Sequence, residues 1–167
     1  MGGVLAGWAA THRSELDQVV MVSPALAVQG VPLNRRQLYA NLFNLFPNIF
    51  QWWDTELKDS RKGPPQAYPR WATHGVGSML RLAGLLEESA RSKRPAAKKI
   101  TVITNPSDEA VDNQGAERIV DLWRRQGVQV NTHSFDESWK LIHDLMDPDQ
   151  PEQQVERVYP QLLEWVA

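Results

Sequence analysis

Three short apolar runs constrain the fold of this chain most strongly. Residues 19 to 22 read Val-Val-Met-Val, residues 100 to 103 read Ile-Thr-Val-Ile, and residues 128 to 130 give a weaker third run, Val-Gln-Val. Unbroken apolar runs of this length are typical of strands buried on both faces, as in a parallel sheet. With helical patterns between them, they predict an α/β fold of about three parallel strands flanked by helices.

The segment between the second and third runs has a well-marked helical pattern. One face is apolar and spaced for burial, at Ala116, Ile119, Val120 and Trp123. Asn113 is a candidate N-cap, and Gly127 stands where a C′ glycine ends a helix. Strand, helix and strand together predict a βαβ unit with a right-handed crossover.

Two more helices are predicted near the ends of the sequence. Residues 3 to 11 have small side chains at helical spacing, which lets a helix approach a sheet closely. The last segment, from Pro151, has an apolar helical pattern that Pro160 interrupts. Because proline removes a helix hydrogen bond, we expect a kink or two short helices there.

The middle of the chain, from residue 32 to about residue 91, has no strand signal. It contains two apolar stripes at helical spacing, separated by a loop at residues 62 to 65; the stripes are Leu38, Leu42, Leu45 and Ile49, then Met79, Leu82, Leu85 and Leu86. A helical insertion between two strands of a parallel sheet looks like a lid. We therefore predict a core at residues 1–30 and 92–167, with a helical lid insertion at residues 31–91.

Composition excludes several classes of function. The 167 residues fit one domain, and a net charge of -2 gives no reason to expect a nucleic acid or an anionic membrane as partner. The lack of cysteine excludes disulfides and thiolate metal sites. No apolar run approaches the roughly 20 residues that span a bilayer. The first residues lack the basic region of a signal peptide, which favours a cytoplasmic protein.

An acidic residue and a histidine each follow a predicted strand. Asp108 comes shortly after the second run and His143 follows the third. Because the carboxyl ends of parallel strands meet at one edge of a sheet, we expect these side chains to converge. An acid followed by a histidine is the order at the end of a serine hydrolase of the α/β-hydrolase fold. There the imidazole removes the serine proton while the carboxylate fixes its tautomer.

The sequence around both residues resembles a known family. Residues 104 to 113 resemble the acid turn of bacterial α/β-hydrolases related to serine aminopeptidases, monoglyceride lipases and lysophospholipase-type esterases. Residues 143 to 148 resemble their histidine loop, and residues 158 to 160 their closing segment. The resemblance implies that Asp108 is the triad acid and His143 the triad base.

The first residues, Met-Gly-Gly-Val-Leu-Ala, resemble those that directly follow the nucleophilic serine of a G-x-S-x-G turn. The resemblance implies a C-terminal portion of such a hydrolase, without its nucleophile. The backbone N–H of Met1 would then be one oxyanion donor in the parent protein. Ser78 follows Gly75-Val76-Gly77 and is one place late for the motif. We expect the parent to hydrolyse carboxylic esters, or less readily amides, through an acyl-serine, and the isolated chain to be inactive.

Expectations about ligands and partners follow from this interpretation. Trp52, Trp53 and Trp71 fall in the predicted lid and indicate an apolar surface that contacts a small to medium-sized ester. No cofactor and no metal ion is expected. The strand at residues 19 to 22 would lack its neighbour on one side, and a bare strand edge favours a homo-oligomer.

Two readings from other classes stay open. The cluster of His143, Asp144, Asp147 and Asp149 could ligate a metal, as in HD-type phosphohydrolases, although the other histidines look badly placed for that role. Alternatively the chain is a non-catalytic α/β interaction module, in which Asp108 is an ordinary turn residue. Within the hydrolase interpretation, His133 is the competing base, and its position in a strand indicates packing instead.

Overall fold

The computed structural model describes residues 1–60, 63–64 and 67–167, so the loop predicted at residues 62 to 65 lies partly outside the described residues. In chain order the helices and strands are α1 (Gly2–His12), β1 (Gln18–Val22), α2 (Arg36–Leu45), β2 (Phe50–Trp52), β3 (Arg70–Ala72), α3 (Thr73–Ser92), β4 (Lys99–Thr104), α4 (Gln114–Arg125), β5 (Val130–Ser134) and α5 (Val155–Val166).

The main sheet has three parallel strands in the order β1, β4, β5. The first two apolar runs lie within β1 and β4, the third run overlaps β5 at Val130, and the predicted α/β class is confirmed. The central strand β4 is the most deeply buried, with Ile100, Val102 and Ile103 inaccessible to solvent. β5 begins only at Val130, because Val128 still donates a backbone hydrogen bond to Trp123 at the end of α4.

Helix α4 forms the predicted βαβ crossover between β4 and β5. Its predicted apolar face is buried, and Gly127 follows it with a φ of 75°. Asn113 occupies the N-cap position without capping, since its amide donates instead to the carbonyl of Asn105, 2.7 Å away. Gly115 lies so close to the chain after β1 that a Cβ would sit 2.7 Å from the nitrogen of Ala27. Only glycine allows this approach.

The other face of the sheet is covered by α5. It contributes Val158 to a buried cluster with Ile103, Phe135, Leu141 and Leu145. The helix is continuous from Val155 to Val166 with Pro160 inside it, so of the two expected outcomes the pair of short helices does not occur, and the kink stays a prediction. Packing of residues on both sides of Pro160 offsets the hydrogen bond that proline cannot make.

The segment from residue 32 to residue 91 contains strands, and the prediction that it has none is wrong. β2 and β3 pair as an antiparallel hairpin, with Gln51 opposite Trp71 and Trp52 opposite Arg70. Strands of three residues are too short to show an alternating pattern, and their pairing depends on contacts distant in sequence.

Helices α2 and α3 differ in how they pack. The leucine stripe of α2 is exposed at Leu38, Leu42 and Leu45, while Ala40 is buried on its opposite side. α3 instead packs into the main core, where its buried residues are Met79, Ala83, Leu86 and Ala90. The division of the chain into a core and a lid at residues 31–91 stays a prediction. Among the described residues, no helix combines the length and the apolar character that crossing a membrane requires.

Candidate active site

The acid turn begins directly after β4. The side chain of Asp108 is fully buried, and its Oδ1 accepts hydrogen bonds from the backbone N–H groups of Ala110 and Val111, both at 2.9 Å. Such a local pattern fixes the rotamer of the carboxylate. The second oxygen, Oδ2, is thereby directed away from the turn and is available for a partner elsewhere in the fold.

That partner is His143. Its Nδ1 lies 2.7 Å from Oδ2 of Asp108, and one third of its side chain is exposed. Because a carboxylate only accepts, the hydrogen bond places the proton on Nδ1. The structure therefore brings together the two residues that the sequence predicted as acid and base, although they are 35 positions apart.

The pKa of His143 is raised above its ordinary value of 6.5. The hydrogen bond to Asp108 is the largest cause, and it outweighs the burial of the ring, which lowers the pKa. The negative charges of Asp108 and Asp144 raise it further. Within the described part of the chain, Nε2 of His143 has no hydrogen-bond partner. In the neutral ring this nitrogen is a free acceptor, as a general base requires.

The first turn of α1 lies near this pair. The pKa of the Met1 amino group is lowered by burial, an effect that the nearby charge of Asp144 opposes. The positive charge of the amino group also opposes the rise in the pKa of His143. Gly3 is held against Pro24, where a Cβ would meet the proline Cα at 2.7 Å. The start of α1 and the histidine are thus within electrostatic reach of each other at one edge of the sheet.

The three tryptophans of the predicted lid, Trp52, Trp53 and Trp71, lie on or beside the β2–β3 hairpin. The guanidinium of Arg70 lies 4.4 Å above the ring of Trp52. The rings of Trp53 and Trp71 are tilted, with centroids 6.2 Å apart. Among the described residues, none of the three makes a hydrogen bond or ring contact with His143 or Asp108. Their substrate-binding role stays a prediction.

His133, the competing base, and the carboxylates that follow His143 make other contacts. His133 stacks on Trp165 of α5 with ring centroids 4.8 Å apart, which is a packing contact. Asp144 accepts a hydrogen bond from Gln150, and Asp147 accepts one from the backbone of Asp149. The described residues contain no group of three or more His, Asp, Glu or Cys side chains that could hold a metal ion. The cluster around His143 therefore gives the metal-dependent reading no support.

No protein-family model matches the chain, and no curated protein sequence is significantly similar to it. Solved structures do match. A monoacylglycerol lipase from Paleococcus ferrophilus superposes with a TM-score of 0.65 at 19% identity, over 98% of this chain and 64% of that one. A soluble variant of monoglyceride lipase from Saccharomyces cerevisiae, in complex with a substrate analog, gives 0.65 at 12% identity over 98% and 61%.

A third match comes from a study of LipS and LipT, two metagenome-derived lipolytic enzymes, with a TM-score of 0.59 at 14% identity over 99% of this chain and 61% of that one. The chain therefore has part of the α/β-hydrolase fold, as the strand pattern and the acid turn predicted. It spans less than two thirds of the length of each of these structures.

Proposed function

We propose that Asp108 and His143 are the acid and base of a serine hydrolase that cleaves carboxylic esters, and less readily amides. The observation that carries this proposal is the hydrogen bond from Nδ1 of His143 to Asp108, which leaves Nε2 without a partner in the described residues. Support also comes from the structures that this chain resembles, which are lipases and lipolytic enzymes.

The chemistry assigned to the pair proceeds in two halves. Nε2 of His143 takes the proton of a serine hydroxyl as its oxygen bonds to the ester carbon, and then gives that proton to the departing alkoxide. In the second half, His143 takes a proton from water as the water attacks the acyl-serine, returns that proton to the serine oxygen, and the carboxylic acid is released. Asp108 keeps the proton on Nδ1 and stabilises the imidazolium that forms in each half.

In this proposal the serine stands directly before Met1, and the backbone N–H of Met1 is one donor to the oxyanion. The charge of the Met1 amino group acts on the pKa of His143, and this electrostatic influence of the start of α1 on the base supports that arrangement.

The substrate assigned to the parent protein is a small to medium-sized apolar ester. The β2–β3 hairpin, with Trp52, Trp53 and Trp71, is proposed as part of the lid that contacts its acyl group. The tilted pair of Trp53 and Trp71 offers an apolar ring surface, and Trp53 is exposed. Rings of this kind bury large areas at a low cost in conformational entropy.

Ester turnover tests the proposal. The 167-residue chain should hydrolyse p-nitrophenyl acetate or butyrate no faster than its His143→Ala variant, because acid and base alone have no nucleophile to activate. A form translated from an in-frame Gly-x-Ser upstream of Met1 should be active. Its His143→Ala and Asp108→Asn variants should each lose about a thousandfold or more in kcat.

Two results would overturn this assignment. Turnover by the 167-residue chain that depends on His143 would require a nucleophile among the present residues. Turnover by the extended form that survives His143→Ala would remove the base from the mechanism. If no extended form is active, the non-catalytic α/β interaction module becomes the better description.

A further inference from the structure

Asn105 lies between the acid turn and the histidine loop. It follows the last residue of β4 and is 1% exposed. Its amide nitrogen donates to the carbonyl oxygen of Leu141 at 2.9 Å and to that of Ile142 at 3.3 Å. These two carbonyls belong to the residues immediately before His143. A single buried side chain thus holds the backbone that leads into the base.

The same side chain organises the acid turn. Oδ1 of Asn105 accepts a hydrogen bond from the backbone N–H of Ser107 at 3.1 Å, and its carbonyl accepts one from the N–H of Asp108 at 3.2 Å. Between residues 105–113 and 140–150, the described hydrogen bonds are those from the Asn105 amide and the one that joins Asp108 to His143. Asn105 is therefore the second physical link between the two loops.

Only an amide suits this place. The NH2 group supplies two donors to two carbonyls, and the oxygen supplies an acceptor to an N–H group. A carboxylate would direct negative oxygens at the carbonyls of Leu141 and Ile142. An apolar side chain would leave buried carbonyls unpaired, which is costly.

We propose that Asn105 is a positioning residue for the base, which holds His143 against Asp108 by fixing the carbonyls of Leu141 and Ile142. The inference rests on the proposed function and adds a residue to that site. Asn105 does not touch the reacting atoms; it acts through the backbone of the histidine loop. Its removal should loosen the contact between Nδ1 and Oδ2 while both residues remain present.

The test compares the pKa of His143, followed by NMR, in the unsubstituted chain and three variants. Asn105→Ser keeps an oxygen for the N–H of Ser107 but cannot reach the two carbonyls. Ser107→Ala is the matched control, because it removes a bond from the same turn to Glu137, away from the histidine. Asp108→Asn gives the pKa of His143 in the absence of the carboxylate.

We expect the pKa of His143 to fall in Asn105→Ser toward its value in Asp108→Asn, and to stay unchanged in Ser107→Ala. A pKa in Asn105→Ser equal to that of the unsubstituted chain would overturn the role of Asn105. If Asp108→Asn leaves the pKa unchanged as well, the acid–base pair itself is wrong and the proposed function fails with it. The two failures are therefore distinguishable.

A measurement without substitution covers the case in which Asn105→Ser does not fold. In the unsubstituted chain the side-chain NH2 protons of Asn105 should exchange slowly with solvent. They should also give nuclear Overhauser contacts to the backbone around Leu141 and Ile142. Rapid exchange without such contacts would overturn the proposal independently of any variant.

Discussion

At the residue scale, the buried carboxylate of Asp108 contacts both its own turn and the ring of His143. Two backbone N–H groups hold one oxygen, and the other faces Nδ1 of His143. The sequence predicted both residues because each follows a strand of a parallel sheet. It did not single out Asn105, since an asparagine before a proline is typical of an ordinary turn. Only the fold brings its amide to residues 141 and 142.

The raised pKa of His143 predicts a pH dependence of stability. Because the folded chain holds the proton more tightly than the unfolded one, the pair stabilises fully below the ordinary histidine value of 6.5. That contribution is lost as the pH rises through the higher pKa of the folded state. Urea unfolding across this range should show the free energy of unfolding decreasing in the unsubstituted chain more than in His143→Gln. Equal slopes for the two proteins would contradict the prediction.

At the scale of elements, a charge cluster centred on the buried carboxylate of Glu87 links α3 to α2 and α4. Glu87 of α3 pairs with Arg36 at the start of α2, with Arg118 of α4 and with Arg91 one turn along α3. Burial alone would raise the pKa of Glu87, but hydrogen bonds from Arg118 and Arg36 outweigh it and lower the pKa. Arg36 also donates to the carbonyl of Leu26, so α2 is tied to the chain that follows β1.

Removing the carboxylate of Glu87 should lower the free energy of unfolding far more than removing the half-exposed guanidinium of Arg91. Glu87→Gln leaves the buried guanidinium of Arg36 without a counter-charge, and we expect a loss of about 3–5 kcal/mol in the free energy of unfolding. Arg91, which is 46% exposed, is the control, and Arg91→Gln should cost less than about 1 kcal/mol. Denaturant unfolding measures both. A loss for Glu87→Gln as small as that for Arg91→Gln would show that the charge cluster does not stabilise the packing of α2, α3 and α4.

Element by element, the sequence predicted what depends on local pattern. β1 and β4 are continuous apolar runs, and α4 has an apolar face at helical spacing; all three were correctly placed. β5 begins at Val130, two residues after the start of the weaker third run. The β2–β3 hairpin was missed because each strand has three residues. The leucine stripe of α2 has helical spacing, yet it faces solvent, because spacing alone does not say whether another element covers that face.

For the whole molecule, the open edge of the sheet is the main consequence of the topology. Within the described residues, β1 pairs with β4 on one side only. Leu5 and Trp8 of α1 are also exposed. A parallel sheet is normally covered on both faces, and a bare strand edge pairs readily with another chain. We therefore propose that the 167-residue chain self-associates through β1.

Light scattering coupled to size-exclusion chromatography checks this prediction. The mass should exceed 19.0 kDa at micromolar concentrations and fall on dilution, because association through an edge depends on concentration. A mass of 19.0 kDa at every concentration, with no dye binding to exposed apolar surface, would rule out association through this edge.

The most direct test of the acid–base pair is the tautomer of His143, read from nitrogen-15 NMR above its pKa. Two other histidines serve as references. Nδ1 of His12 donates a hydrogen bond to the carbonyl oxygen of Trp8, and Nε2 of His74 donates one to the carbonyl oxygen of Phe46. If Asp108 holds His143 as a base, its neutral ring carries the proton on Nδ1, as in His12, and keeps it there until Asp108→Asn removes the partner. A proton on Nε2, as in His74, or a ring that averages both forms, would contradict the assignment of His143 as the base.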